Sequence, residues 1–127
     1  MDLLIDSHVA LWWADDPSVL STPAMEAIAD PANVVWLSAA SAWELAIKVR
    51  GGKLDIDVLA TIIKLSQNGV RLLGVGLDDG VAAGLLDWDR RDPFDRMLVA
   101  QSQRLGLRLV TRDAAMVRYL PSDALVA

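Results

Sequence analysis

The chain of 127 residues contains no cysteine and a single histidine, His8. The first absence excludes disulfides, thiolate-bound zinc, iron–sulfur clusters and thiol catalysis, and it suits a reducing compartment, so a cytoplasmic location is expected. The second excludes the two-histidine acid–base route to RNA cleavage. No apolar run approaches the ~20 residues that a membrane span needs. Asp2 and Asp6 stand where a secretory signal would carry basic and then apolar residues, so no such signal is expected. A Gly-x-Ser-x-Gly elbow and a phosphate-binding loop of the Gly-x-x-x-x-Gly-Lys type are both missing. Gly74, Gly76 and Gly80 approach a dinucleotide fingerprint, but the third glycine comes one residue late and the run is far from the first strand.

Positive charge is also scarce. Twelve Lys and Arg face 17 Asp and Glu, for a net charge of −5, which argues against a protein that holds nucleic acid by bulk charge. Only two of those acids, Glu26 and Glu44, are Glu. Aspartate is the shorter carboxylate, favoured at helix starts, in turns and in compact oxygen-ligand metal sites.

What is present is apolar residues in quantity, 54% of the chain, in short runs separated by helical patterns. That length and composition suit one domain over residues 1–127. Strands are expected at 3–5, 34–37, 71–75 and 107–111, with a short last one at 124–126. Helices are expected over a stretch carrying Val9, Leu11, Trp12 and Trp13, from a Thr22 cap and Pro23 to just before Asp30-Pro31, at 42–49, 58–65, 81–86 and 93–105, with a short one through Met116 and Val117. Short, wholly apolar strands alternating with helices predict an α/β domain with a short parallel sheet covered by helices on both faces. Trp12, Trp13, Trp36 and Trp43 lie in apolar runs and are expected in the core or a subunit interface. Trp88, between Asp87 and Asp89, is the tryptophan expected at the surface.

In such a sheet, ligands collect beyond the carboxyl ends of the strands. Asp6 follows the first strand, Glu44 lies early in the helix after the second, Asp95 is in the first turn of the long helix, and Asp113 follows the strand ending at Thr111. Each has a structural alternative. Asp6 and Asp113 can cap helices, Ser41 and Glu44 have capping-box spacing, Glu44 can pair with Lys48, and Asp92-Pro93-Phe94-Asp95 is a strong helix start. Jointly, four carboxylates on one rim of a sheet repel one another, and protonation or a bound cation resolves that repulsion. All-oxygen ligation points to Mg2+ or Mn2+. Asp92 is an auxiliary candidate, Ser7 and Thr111 could support the acids, and His8 could touch substrate or merely start a helix. Arg90, Arg91, Arg96, Arg112 and Lys48 lie near these acids in sequence and could meet a phosphodiester backbone.

The segments Asp6-Ser7-His8, Ser38 to Lys48 with Trp43-Glu44 at its centre, Arg91-Asp92-Pro93-Phe94-Asp95-Arg96 to Gln101, and Leu109 to Asp113 resemble PIN-domain nucleases. Among these the likeness is to VapC-type toxins of bacterial toxin–antitoxin pairs, and it runs from Met1 to about Tyr119. The family's metal-binding acids fall on Asp6, Glu44, Asp95 and Asp113. The resemblance implies a Mg2+-dependent endoribonuclease, commonly a homodimer, that hydrolyses RNA with a metal-activated water and is held inactive by a small cognate antitoxin. Two other readings remain at this point. One is a catalytically idle module whose acids bind metal only to order the fold. The other is a phospho-accepting receiver-like domain, which would need a lysine after a late strand, whereas lysine stops at Lys64.

Overall fold

Five strands set the frame: β1 (Asp2–Ile5), β2 (Val34–Ser38), β3 (Arg71–Leu73), β4 (Arg108–Thr111) and β5 (Ala124–Val126). The structure, a computed structural model, describes residues 1–127. The strands form one sheet in the order β3-β2-β1-β4-β5, and every neighbouring pair is parallel. Register places Leu4 opposite Trp36 on one side and Leu109 on the other. The receiver-like alternative fails here, because sheets of that type run 2-1-3-4-5.

Seven helices connect and cover the strands: α1 (Ser7–Asp15), α2 (Thr22–Ala29), α3 (Ala39–Arg50), α4 (Val58–Gln67), α5 (Leu77–Leu85), α6 (Pro93–Leu105) and α7 (Ala114–Tyr119). Side chains alternate across a strand, so Leu3 and Ile5 face one layer and Leu4 the other. Leu3 and Ile5 meet Val9, Ala24, Ile28 and Leu65 from α1, α2 and α4. Leu4 meets Leu98, Val99 and Met116 from α6 and α7. All three β1 residues are fully buried, which is why this strand reads as an unbroken apolar run rather than an alternating one. Leu4→Ala would cost about 3 kcal/mol by the usual transfer and cavity effects.

Helix starts explain most of the boundaries. Asp92 caps α6 by accepting from the backbone N–H groups of Phe94 and Asp95, with Pro93 at the first helical position. The same helix stops at Gly106, whose φ of 66° is the left-handed conformation that favours glycine. Two expected starts shift. Ser21, not Thr22, caps α2 through the N–H of Ala24. Ser38, not Ser41, caps α3, so that helix begins three residues before the expected position and the Ser41–Glu44 capping box does not form. The Ser41 hydroxyl is instead buried without a partner. α5 begins at Leu77 rather than Val81 because Asp79 reaches back to the backbone N–H of Gly76. Trp88, expected at the surface, is instead half-buried and stacked on Tyr119, while Trp43 lies outside the core, 62% exposed, with its ring edge-on to Phe94.

Candidate active site

Strand order reverses between β1 and β4, where β1 connects toward β2 and β4 toward β5. At that point the carboxyl ends of both strands open into a cleft of about 220 Å3. Asp6, Glu44, Asp95 and Asp113 all line it, together with Asp92, Ser7, His8, Lys48 and Arg90. Residues from four stretches of the chain, 6–8, 44–48, 90–98 and 113–116, thus share one small volume.

Each acid is held by a different device. Asp6 is the N-cap of α1, accepting from the N–H of Val9 at 2.9 Å, and its other oxygen accepts the hydroxyl of Thr111 at the end of β4. Glu44 lies in the second turn of α3 and accepts the hydroxyl of Ser7, with the Lys48 ammonium 3.6 Å from its second oxygen. Asp95 faces inward from the first turn of α6. Asp113 is the N-cap of α7 and accepts from the N–H groups of Ala115 and Met116. Capping and site lining therefore coexist in the same residues. A strand that ends at the rim of a parallel sheet hands the chain to a helix N-terminus, and the capping acid necessarily faces that rim.

Arg90 crosses the cleft. Its guanidinium forks both oxygens of Asp113 at 2.7 and 2.9 Å, and its Nε lies 3.0 Å from Asp95. The electrostatics follow from these contacts. Burial, then the charge of Asp92, pushes the Asp95 carboxyl up to about 6, with Asp113 and Glu44 adding to the rise and Arg90 opposing it. Burial also raises Asp6, against the pull of Thr111 and the Val9 N–H. Burial acts in the same direction on Asp113, but the Arg90 fork and the N–H of Met116 outweigh it and hold that carboxyl below its ordinary value.

Two of the expected phosphate-contacting arginines are engaged elsewhere. The Arg96 guanidinium donates to the carbonyls of Ala83, Gly84, Leu86, Trp88 and Arg90, tying the C-terminal end of α5 to the loop before α6. Arg112 donates to the carbonyls of Val19 and Ala127 and lies over the Trp12 ring, 4.4 Å from its centroid. Sequence proximity to Asp95 and Asp113 placed them in the site; the faces of their elements turn them out of it. Arg91 is exposed beside the cleft, while Arg90 and Lys48 line it.

The donor set fits a hard divalent cation: carboxylates and a hydroxyl, no thiolate, and five acids (Asp6, Glu44, Asp92, Asp95 and Asp113) against the two cations Lys48 and Arg90. With side chains in their present positions, no three acids come close enough together to share one ion. The reason is physical: Arg90 bridges Asp95 and Asp113, while Asp6 and Glu44 are each engaged by a hydroxyl, of Thr111 and Ser7.

Comparison with known proteins agrees with this architecture. A family model described as PIN domain matches residues 3–119. Ribonuclease VapC22 of Mycobacterium tuberculosis is 36% identical over 116 residues, spanning 87% of this chain and 86% of that protein. Among solved structures, VapBC2 of Rickettsia felis bound to a promoter DNA fragment has a TM-score of 0.69 at 12% identity, covering 100% of this chain and 98% of that one. A toxin–antitoxin complex from Klebsiella pneumoniae has a TM-score of 0.63 at 15% identity, covering 97% and 95% of the two chains. At such identities these two structures establish likeness of fold.

Proposed function

The chain belongs to the PIN-domain family, and from that premise we propose that it is an endoribonuclease, the toxin of a toxin–antitoxin pair, dependent on Mg2+ or Mn2+ held by Asp6, Glu44, Asp95 and Asp113. The observation that carries this reading is the meeting of those four carboxylates in one cleft at the switch point of the sheet. The 36% identity to a VapC ribonuclease supports the activity and its substrate class.

A divalent ion held by Asp6, Glu44, Asp95 and Asp113 would supply a water of lowered pKa and Lewis-acid stabilisation of the developing charge. The protein supplies position and charge. Asp6 and Asp113 are fixed by helix-capping bonds, and Asp6 and Glu44 also by the hydroxyls of Thr111 and Ser7. Each of these donors leaves a lone pair on the carboxylate free to face the cleft. Lys48 and Arg90 in the cleft and exposed Arg91 next to Arg90 in sequence are the cations we assign to an RNA phosphate; Asp92 serves mainly as the cap of α6. With a net charge of −5, RNA binding rests on these local cations rather than on the whole surface.

The partner proposed is a small cognate antitoxin, supported by the toxin–antitoxin assemblies that share this fold. Homodimerisation is supported by exposed apolar side chains on two helices, Trp43 and Ile47 of α3 and Leu77, Val81 and Leu85 of α5. No helix is long and apolar enough to cross a membrane; a cytoplasmic location accords with the absence of cysteine and with an RNA substrate.

The deciding experiment incubates purified, partner-free protein with structured RNAs in Mg2+ and in EDTA, beside Asp6→Asn and Asp95→Asn. Asn keeps the shape and removes the charge, so both variants should stay folded and lose nearly all cleavage, as should the wild type in EDTA. A folded variant that cleaves at the wild-type rate would overturn the assignment.

A further inference from the structure

Arg90 is the only cation that touches two of the four site acids, and it does so from a half-buried position between them. A guanidinium fork on a carboxylate is among the strongest and most directional of ion pairs. Here it also leaves Asp113 almost without acceptor capacity: Oδ1 takes the N–H groups of Ala115 and Met116 besides Arg90, and Oδ2 takes the second arm of the fork. Only Oδ2 keeps acceptor capacity, one lone pair beside the Arg90 arm, so an ion approaching Asp113 meets the guanidinium and competes with it for that oxygen. Nor is Arg90 loosely placed. Its backbone carbonyl is held by Arg96, which anchors the loop to the end of α5, so the guanidinium is aimed at the acids by the fold.

We propose that Arg90 is a built-in counter-cation of the acid cluster, occupying the space between Asp95 and Asp113 and competing with the divalent ion for them. The inference rests on the metal site argued above and adds a residue that opposes its loading. In the metal-free protein Arg90 offsets the repulsion between Asp95 and Asp113. When an ion takes those acids, the guanidinium is expelled toward the mouth of the cleft, next to exposed Arg91, where its partner becomes a substrate phosphate. One side chain thereby holds the empty cluster together and faces RNA once the cluster is loaded.

The test is direct binding of Mn2+ to the purified chain, by calorimetry or by the loss of free-ion paramagnetic signal, with no RNA present. Arg90→Gln removes the competitor; Arg91→Gln removes an equal charge from an adjacent exposed position that touches no acid. A hydrogen bond to a charged group is worth enough for about a tenfold change in affinity. Arg90→Gln should therefore bind Mn2+ about tenfold tighter than wild type, and Arg91→Gln within about twofold of it. Arg90→Lys keeps the charge but cannot fork Asp113 while reaching Asp95, so it should fall between, and it serves if the Gln variant does not fold. Equal gains in Arg90→Gln and Arg91→Gln would reduce the effect to general charge and overturn the proposal, as would weaker binding in Arg90→Gln. If neither wild type nor Arg90→Gln binds Mn2+, the metal site itself is wrong and the proposal falls with it.

Discussion

The Thr111 hydroxyl donates to the Asp6 carboxylate across 105 residues of sequence, tying the end of β4 to the end of β1 where the strand order reverses. Both residues are buried, with Asp6 only 7% exposed, so neither can replace the bond with water. The link sets which way the Asp6 oxygens face and offsets part of the burial that raises its pKa.

Thr111→Val keeps the shape of that side chain and removes the donor. Burial would then act on Asp6 with less opposition, raising its pKa further and freeing its orientation. Cleavage should fall about tenfold, the size expected for one lost hydrogen bond to a charged group, while Thr111→Ser should restore most of it. Initial rates at saturating Mg2+ with a defined RNA, alongside melting curves, make the comparison. Full activity in the valine variant would remove Thr111 from the site.

The metal-free protein should become more stable as pH falls from 7 to about 4.5. Asp95 holds its proton up to about 6 in the fold against an ordinary 3.8. Between those values the folded form binds more protons than the unfolded chain, so stability drops as pH rises through them. Asp6 is shifted in the same direction. Asp113 and Asp79 are shifted down, and their contribution is lost only on further acidification, below the ordinary carboxylate range. Melting temperatures in EDTA across this range should therefore rise and then fall, and Asp95→Asn should flatten the rising part. A monotonic decline from pH 7 downward in the wild type would contradict the crowding of these acids.

Much of this arrangement could be read from the sequence, and the reason lies in particular residues. α6 was legible to the residue because Asp92-Pro93 makes a cap and a first-turn proline at once. Asp6, Asp95 and Asp113 were legible because each follows a strand or opens a helix, and Glu44 because it lies early in the helix after β2; the parallel sheet sends all such positions to one rim. α3 was not: two serines three apart both suit a cap, and only the direct passage of β2 into the helix selects Ser38. The partners of the arginines were not legible either. Arg90 lies beside Asp92 in sequence but bonds Asp113, 23 positions away, and Arg96 and Arg112 turn to backbone carbonyls that no charge pattern reveals. Trp88 misled for a related reason, since its acidic neighbours in sequence do not reveal that its ring stacks on Tyr119.

Divalent metal should stabilise the fold by mass action on the native state. At a hundred times its Kd an ion adds about 2.7 kcal/mol, several degrees in a domain of this size. Protons compete with the ion for Asp95, so the gain should be large at pH 7.5 and small at pH 5. Scanning calorimetry with Mg2+ or Mn2+ and with Ca2+ as comparison measures it, and Asp6→Asn or Asp95→Asn should abolish most of it. Identical melting curves with and without metal at pH 7.5 would count against the site.

Arg96 separates a structural arginine from an RNA-contacting one. Its guanidinium satisfies five carbonyls, three of them at the C-terminal end of α5, where the helix leaves its last acceptors unpaired and carries partial negative charge. Arg96→Ala strands those acceptors in a half-buried setting and should cost about 3 kcal/mol, roughly 10 °C in melting temperature. Arg96→Lys retains the charge but not the planar fan of donors, so it should recover only part of the loss. RNA affinity supplies the contrast. Measured with the cleavage-deficient Asp6→Asn background at a temperature where both proteins are folded, Arg96→Lys should leave both Kd and its salt dependence unchanged. Arg91→Gln in the same background should weaken binding and reduce the salt slope by about one, as loss of a phosphate contact does. A reduced salt slope in Arg96→Lys would instead place that side chain on the RNA and detach it from the end of α5.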